Sequence, residues 1–497
     1  MKILLIFPGR GMMKENVLPL GIAYIGAYLK SRNHDVKICD MRIINFKDFK
    51  KILLDYSPEC VGIHANTTNL KVGLKTAKFI KKKLPDCKVV CGGPHPTIAP
   101  KEVLKNKFVD VVVVGEGELT FLELVNKLET NEDISEVKGI CYKKGKERIV
   151  TEPREYIQNL DILPFPTSIL QLKDFLKKGP RFPVIPPSIS MVVSRSCMYN
   201  CSFCQPTLRK IFGRKVRYRS VKNVIKEIKM LKRRYDIRTV FFFDDTLTVN
   251  RKWITKFCNE AIREKLKMNF ICQSRVNTID EELLKRMKRA GFYNIIFGIE
   301  SGSMRILTRV LRKGATPEMN KKAMFLCKKL GLSVLANVMI GNPTEDENDI
   351  YLTYKLIKEF NPDLVYANIT TPLPGTDLYD FCKKKRLFLV KNYNRSVYKQ
   401  KIKLKHLNRT KLMKWKFKMQ AFTFMPSKLI KPRYLKMTLK RWFAGIETRN
   451  FSMIVNDLIQ GFENEGKRII ASLTPPLTYK RVMSTYRYLF GKNIGER

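Results

Sequence analysis

The sequence has few histidines and no long apolar run. Only 4 of its 497 residues are histidine, so a zinc site closed by paired cysteines and histidines is not expected. No run of about 18 apolar residues occurs, which argues against a transmembrane helix. The 12 cysteines are scattered, and the first residues do not resemble a signal peptide. We therefore expect a reduced, cytoplasmic protein without structural disulfides.

Acidic residues are also scarce. The chain has 45 Asp and Glu against 95 Lys and Arg, a net charge of +50. Such a charge attracts anionic partners over long range, whether nucleic acid, an acidic membrane surface or a polyanionic substrate. High lysine content can equally be a habit of a whole proteome. The length predicts about three domains.

The positive charge is densest between residues 391 and 450. Glu447 is the one acidic residue in this block, which also carries aromatics such as Trp415, Phe424 and Trp442. Basic residues mixed with aromatics suit a membrane interface or a nucleic-acid surface. A cap of helices with a solvated basic face fits the same pattern. We predict a basic, mostly helical C-terminal domain over residues 386–497.

The N-terminal region alternates short apolar runs with amphipathic stretches. This alternation predicts an α/β domain with a doubly wound parallel sheet. Ligands of such sheets bind beyond the carboxyl ends of the strands, so the turns there carry the functional signal. The predicted strands are residues 2–7, 36–39, 60–63, 88–91 and 111–114.

Three glycine-containing turns lie beside these strands. Glycine allows the backbone to approach a bulky ligand closely. A dinucleotide-binding fold is the competing interpretation, but the turn after the first strand, Phe7-Pro-Gly-Arg-Gly-Met12, is not G-x-G-x-x-G. The turns therefore predict a different large ligand. They are Leu20-Gly21, Gly92-Gly93-Pro94-His95 and Gly115-Glu116-Gly117.

Three cysteines lie close together in the middle of the chain. Cys197, Cys201 and Cys204 have the spacing C-x3-C-x2-C, with Phe203 before the last. Thiolates are the usual ligands of iron–sulfur clusters, and a four-iron cluster normally needs four of them. Three cysteines therefore leave one iron open to another ligand.

A second run of strands and helices begins near residue 188. Strands are predicted at residues 188–193, 239–243, 267–272, 293–297, 333–340 and 363–368, with helices between them. Repeated βα units of this kind predict a barrel whose active site lies at the carboxyl ends of the strands. Asp244, Arg275, Glu300 and Ser301 follow such strands. For Asp244 a helix N-cap is the alternative interpretation.

The cysteine motif, together with Gly298-Ile-Glu-Ser-Gly-Ser303 and Pro374-Gly-Thr376, resembles the radical S-adenosyl-L-methionine (SAM) enzymes. The glycine turns before it resemble the cobalamin-binding domain of one subclass of that family. The resemblance implies a Rossmann-like cobalamin domain over residues 1–135 and a linker over 136–187. A partial (β/α)6 barrel is implied over 188–385.

The resemblance also implies three cofactors and their ligands. Cys197, Cys201 and Cys204 would hold a [4Fe-4S] cluster whose open iron binds SAM. The D-x-H-x-x-G string that supplies a cobalt ligand in many cobalamin domains is absent, so the lower axial ligand has no candidate. SAM would contact Phe203, Asp244, Arg275, Glu300 and Ser301. Cobalamin would contact Leu20, Gly21, Gly92, Gly93, Pro94, His95, Gly115, Glu116 and Gly117.

The implied activity is methylation of an unactivated carbon of a small-molecule or lipid substrate, through methylcobalamin and a 5′-deoxyadenosyl radical. A one-electron reductant such as ferredoxin or flavodoxin would be a partner, with peripheral association to an anionic membrane as a further hypothesis. Nucleic acid is the less favoured partner. A ring-forming cyclase of the same layout is one alternative. The other is a tRNA methylthiotransferase, whose second cluster would need N-terminal cysteines such as Cys39, Cys60, Cys87 and Cys91.

Overall fold

The computed structural model describes residues 1–9, 17–177, 184–389 and 402–421, together with Leu439. Most of the predicted basic C-terminal domain, including the block 391–450 apart from residues 402–421 and Leu439, lies outside these residues. Inside them, no helix combines the length and the apolar character needed to cross a membrane.

The N-terminal part of the chain forms one sheet with helices on both faces. The order of the described strands is β2-β1-β3-β4-β5-β6-β7, parallel through β5 and antiparallel for β6 and β7. The strands are β1 (Lys2–Phe7), β2 (Asp35–Asp40), β3 (Cys60–His64), β4 (Lys88–Gly92), β5 (Val111–Val113), β6 (Ile140–Lys144) and β7 (Glu147–Val150). The helices are α1 (Leu20–Lys30), α2 (Phe46–Tyr56), α3 (Leu70–Lys83), α4 (Pro94–Ile98), α5 (Pro100–Val103) and α6 (Glu118–Glu129).

Each face of this sheet is covered by its own helices. Phe49 of α2 and Ile80 of α3 belong to one apolar cluster, while Leu29 of α1 and Leu124 of α6 belong to the cluster on the opposite face. Strands buried on both sides have no polar face, which explains why they are apolar throughout. The predicted doubly wound domain is confirmed.

The sheet continues beyond residue 135 into the predicted linker. The β6–β7 hairpin turns at Gly145, which has φ +59°. Charged residues interrupt the alternation of apolar and polar residues in this hairpin, so the sequence did not predict its two strands. After the hairpin, Ile157 and Leu160 pack against Tyr24 and Tyr28 of α1. The segment therefore lies along the N-terminal domain.

The second sheet has parallel strands in sequential order. Its order is β15-β14-β13-β12-β11-β8, and no pairing joins β15 to β8 in the described chain. The predicted partial six-stranded barrel is confirmed. The strands of this half are β8 (Ser188–Met191), β9 (Ser194–Arg195), β10 (Arg217–Tyr218), β11 (Thr239–Phe242), β12 (Asn269–Ser274), β13 (Phe292–Glu300), β14 (Ser333–Ile340) and β15 (Leu364–Ile369).

Helices cover the outer face of the barrel. Phe242, Phe270 and Phe292 pack together there with Phe257 of an outer helix. A smaller cluster that includes Ile271 fills the other face. The carboxyl ends of the strands are left for polar residues. The helices are α7 (Leu172–Lys177), α8 (Thr207–Phe212), α9 (Val221–Tyr235), α10 (Arg251–Arg263), α11 (Glu281–Ala290), α12 (Pro317–Lys329), α13 (Glu347–Phe360) and α14 (Asp377–Lys384).

One helix of the predicted C-terminal region is described, α15 (Arg409–Ala421). Trp415 donates its ring N–H to Glu347 at 3.2 Å, and Lys411 forms an ion pair with the same carboxylate. This helix therefore packs against α13 as an extension of the barrel.

Candidate active site

The three cysteines lie in a loop that leaves β8 and is closed at its base by the two-residue ribbon of β9 and β10. Cys201 is buried, whereas Cys197 and Cys204 are half-buried. The backbone N–H of Ser202 donates to the carbonyl of Leu311 at 2.9 Å. The hydroxyl of Thr207 donates to the carbonyl of Gly375 at 2.9 Å. The Pro374-Gly-Thr376 string thus anchors the cysteine loop, a role that the sequence did not reveal.

The donor set fits a cluster better than it fits a single metal ion. In the described chain, no three His, Cys, Asp or Glu side chains converge as ligands of one ion would. In a four-iron cluster each thiolate binds its own iron, so the three sulfurs need not converge. Burial raises the pKa of the Cys197 and Cys204 thiols. Both are therefore thiols at neutral pH until a metal displaces their protons.

Glu300 lies at the end of β13 in an ion pair with Lys313. The Nζ–Oε1 distance is 2.9 Å, and both side chains are buried. Glu300 has φ +61° beside a break in the strand register, which turns its side chain out of the regular alternation. A Cβ on Gly298 would stand 2.3 Å from the Glu300 carboxylate, so any side chain there would displace the Glu300–Lys313 pair. Lys313 also lies 5.7 Å from the ring centre of Phe203 in the cysteine loop.

Arg275 contacts the cysteine loop directly. Its Nη1 lies 3.3 Å from the sulfur of Cys201, and its guanidinium carbon is 3.6 Å from the ring centre of Tyr199. Its Nη2 donates to the carbonyl of Lys313. The structure thus brings Phe203, Glu300 and Arg275 together beside the cysteine loop.

Ser301 is placed differently. Its hydroxyl lies 3.1 Å from that of Thr353 and accepts from the backbone N–H of Ser303. The residue is fully buried. Both contacts brace the turn after β13, so a direct SAM contact by this hydroxyl stays a prediction.

Asp244 follows β11 and faces the segment after β8. One carboxylate oxygen accepts from the backbone N–H groups of Val193 at 3.0 Å and Ser194 at 2.5 Å. The other, Oδ2, is buried without a hydrogen-bond partner among the described residues. Burial raises the pKa of Asp244 to about 7. The N-cap interpretation is wrong, because the next α-helix is capped by Asn250.

A cavity of about 330 Å³ lies between the carboxyl edge of the N-terminal sheet and the barrel. On the barrel side it is lined by Val192, Ser194, Phe243, Asp244 and Asp245. All but one of the residues predicted for cobalamin line the opposite side. These are Leu20, Gly21, Gly92, Gly93, Pro94, Gly115, Glu116 and Gly117.

The glycines leave the space that a large flat ligand needs. No atom lies within 4 Å of the position that a Cβ on Gly21 would take. For Gly115, with φ +85°, only the carbonyl oxygen of Ile211 lies at 4.0 Å. Side chains at these positions would project into the cavity. Together with the mostly apolar lining, this backbone cradle fits the corrin of cobalamin.

The histidine beside the cavity is not the predicted one. His95 does not line the cavity; its Nδ1 lies 3.1 Å from the hydroxyl of Thr67, and its Nε2 is buried without a described partner. His64, the last residue of β3, lines the cavity and stacks on Phe7. Burial lowers the pKa of His64 to about 4, so the ring is neutral at pH 7. Its position at a strand end was the signal that could have identified it.

Glu116 lines the cavity, but both of its carboxylate oxygens already accept hydrogen bonds from other protein groups. They accept from Arg195 at 2.9 Å, from Arg217 at 2.8 Å and from the backbone N–H of Ile157 at 2.9 Å. Burial acts to raise the pKa of Glu116, but the hydrogen bond from Arg217 and the charge of Arg195 hold it below its usual value. The glycine turn is therefore tied to the β9–β10 ribbon that closes the cysteine loop.

The N-terminal cysteines do not form a second site. Cys39, Cys60, Cys87 and Cys91 are buried. Burial raises the pKa of all four thiols, and the sheet divides them: Cys39, Cys87 and Cys91 pack on one face and Cys60 on the other. They pack as core residues, which removes the support for a methylthiotransferase-type second cluster.

Comparison with known proteins agrees with this geometry. Residues 11–125 match the B12 binding domain, and residues 191–357 match the radical SAM superfamily. An uncharacterized methyltransferase of Pyrococcus horikoshii is 35% identical over 442 residues, covering 87% of this chain and 94% of that protein. The anaerobic magnesium-protoporphyrin IX monomethyl ester cyclase of Rubrivivax gelatinosus is 29% identical over 409 residues, covering 79% and 72%.

A solved structure shares the fold. The cobalamin-dependent SAM radical enzyme OxsB, with aqua-cobalamin and SAM bound, superposes with a TM-score of 0.68 at 17% identity, covering 100% of this chain and 76% of that one. At this identity the likeness concerns the fold alone. The two matched domains, the cysteine loop and the glycine cradle lead to one conclusion: the chain belongs to the cobalamin-dependent radical SAM enzymes, and its cofactors are a [4Fe-4S] cluster, SAM and cobalamin.

Proposed function

We propose that this enzyme transfers a methyl group from cobalamin to an unactivated carbon of a small-molecule substrate. The observation that carries the proposal is the single cavity shared by the glycine turns and by the ends of β8 and β11. A substrate in this cavity would lie between the glycine turns and Asp244, which is predicted to contact SAM. The Pyrococcus relative, named a methyltransferase, supports methyl transfer.

The cofactors divide the chemistry between them. When bound, SAM and the cluster would supply a radical able to remove a substrate hydrogen atom, and cobalamin would supply the methyl group. The protein positions the two. Gly21 and Gly115 leave room for the corrin, while Glu116 ties their side of the cavity to the cysteine loop through Arg195.

In this proposal SAM would bind next to the barrel side of the cavity, which is lined by Asp244. Glu300 is a buried hydrogen-bond acceptor paired with Lys313, and Arg275 connects Lys313 to Cys201. Phe243 and Val192 supply an apolar wall. An apolar wall protects a reactive radical from side reactions with solvent.

Methyl transfer can be tested without knowing the substrate. We would reconstitute the full chain anaerobically with iron, sulfide and cobalamin, then add SAM and a one-electron reductant. Formation of S-adenosylhomocysteine that depends on cobalamin would support the proposal. Formation of 5′-deoxyadenosine alone would overturn it. That result would favour ring formation, the second candidate, which rests on the similarity to the cyclase of Rubrivivax gelatinosus.

We also propose a lipid as the substrate class, presented at an anionic membrane surface, and a ferredoxin or flavodoxin as the electron donor. The basic, aromatic-rich block 391–450 supports the membrane proposal. The test is co-sedimentation of the protein with anionic and with neutral vesicles. Equal retention by both would contradict a charge-driven association. Preferential binding of tRNA over both would favour a nucleic-acid partner instead.

A further inference from the structure

Arg275 is a buried cation without an acidic partner among the described residues. It is 5% exposed. Lys313, its neighbour, is paired with Glu300, but no carboxylate pairs with Arg275 in the part of the chain that the structure describes. A buried charge is normally paired or bound to a metal centre. The position of Arg275 therefore indicates a negative group that the protein atoms alone do not supply.

The guanidinium is fixed so that it points at one cysteine. The ring of Tyr199 covers one face, with the guanidinium carbon 3.6 Å from the ring centre. Nη2 donates to the carbonyl of Lys313, and Nε donates to Asn277 at 3.4 Å. These contacts leave Nη1 directed at the sulfur of Cys201, 3.3 Å away.

The contact is specific to one of the three cysteines. The described side chains donate no hydrogen bond to the sulfur of Cys197 or of Cys204, although both lie in the same loop. The family resemblance implies that Arg275 contacts SAM. In the structure its Nη1 contacts the sulfur of Cys201 instead.

We propose that Arg275 is a positioning residue that tunes the cluster: it donates to the Cys201 thiolate and balances the charge of the reduced [4Fe-4S] centre. Reduction adds one electron to the cluster, so a fixed cation and an N–H donor stabilise the reduced state more than the oxidised state. Arg275 thus raises the reduction potential and brings the cluster within reach of a cellular one-electron donor. The proposal needs only the cluster and is independent of whether the enzyme methylates or cyclises its substrate.

The test is a potentiometric titration of the reconstituted full chain, without SAM, followed by the electron paramagnetic resonance signal of the reduced cluster. Arg275→Gln is expected to shift the one-electron equilibrium at least tenfold toward the oxidised cluster, which lowers the potential by at least about 59 mV. Arg275→Lys keeps the positive charge but loses the planar guanidinium group. Its reduction potential should lie between those of the wild type and of Arg275→Gln. Arg251→Gln, which removes a surface arginine paired with Asp280, is the matched control and should leave the potential unchanged.

An unchanged potential in Arg275→Gln with its iron intact would overturn the proposal. If that variant does not hold iron, the wild-type protein grown with ¹⁵N-arginine provides the second measurement. Pulsed spectroscopy of the reduced cluster should then detect coupling to an arginine nitrogen. Absence of that coupling would also overturn the proposal. Neither measurement depends on S-adenosylhomocysteine formation, so failure here is distinguishable from failure of the methyl-transfer proposal.

Discussion

The two walls of the cavity are built in opposite ways. The N-terminal wall is mostly backbone and apolar side chains, with open space beside Gly21 and Gly115. The barrel wall leads to a network in which Glu300, Lys313 and Arg275 hold one another around the cysteine loop. The first wall offers open space and apolar surface to a large ligand, and the second is backed by charged side chains with fixed partners. Substitutions that add side-chain atoms should therefore disrupt ligand binding at the N-terminal wall. Substitutions that remove side-chain groups should disrupt binding on the barrel side.

The largest expected effect is loss of the cluster on Cys201→Ala. Two thiolates cannot hold a four-iron cluster firmly, so iron should fall from about four per chain to near zero. Corrin retention should persist, because the glycine turns belong to the other wall. Iron analysis and the absorption spectrum of the same sample measure both. Loss of both cofactors together would show that the walls are not independent.

The next largest effect is loss of corrin on Gly21→Leu. The new side chain would occupy cavity space, yet leucine suits the helix better than glycine does, by up to about 1 kcal/mol. We therefore expect at least a tenfold weaker retention of hydroxocobalamin with no loss of thermal stability. Lys30→Leu, at the exposed end of the same helix, is the matched control. If Gly21→Leu retained hydroxocobalamin as well as the wild type does, the proposal that the glycine turns bind the corrin would be contradicted.

Removing the link between the walls should be costly. Glu116→Gln leaves Arg217 buried without its carboxylate partner, and breaking such a pair typically costs about 3–5 kcal/mol. The free energy of unfolding in urea measures this. Glu132→Gln removes an exposed carboxylate that pairs with Lys127 and should have no measurable effect. Equal stabilities of the two variants would mean that the link does not join the domains.

The smallest effect concerns pH. The pKa of Asp244 is raised in the folded state to about 7, so its protonated form favours folding. That stability is complete below the ordinary aspartate range and is lost as pH rises through about 7. Wild type should therefore lose roughly 2–3 kcal/mol between pH 5 and pH 8 relative to Asp244→Asn, measured by urea unfolding. If the free energies of unfolding of the two proteins changed equally with pH, the raised pKa of Asp244 would be contradicted.

Local patterns predicted the framework of both walls. The strand ends and glycine turns follow from short-range signals, which is why Gly92, Gly93 and Gly115 line the cavity as expected. The hairpin of β6 and β7 was missed because its lysines and glycine hide the alternation.

Long-range partners could not be predicted. Glu116 meets Arg195 and Arg217 from 79 and 101 positions away, so nothing nearby in the sequence signalled its ion pairs. Ser301 belongs to a motif, but its hydroxyl forms a hydrogen bond with the hydroxyl of Thr353. Motifs indicate which residues meet a cofactor, whereas tertiary packing decides which atoms remain free to do so.

The central claim is that one chain holds a single cluster beside a cobalamin. The most direct test is to reconstitute the protein anaerobically, count iron and record the absorption spectrum after adding and removing excess hydroxocobalamin. We predict about four irons per chain and a retained corrin band. About eight irons with no retained corrin would contradict the account, because the N-terminal domain would then hold a second cluster in place of cobalamin.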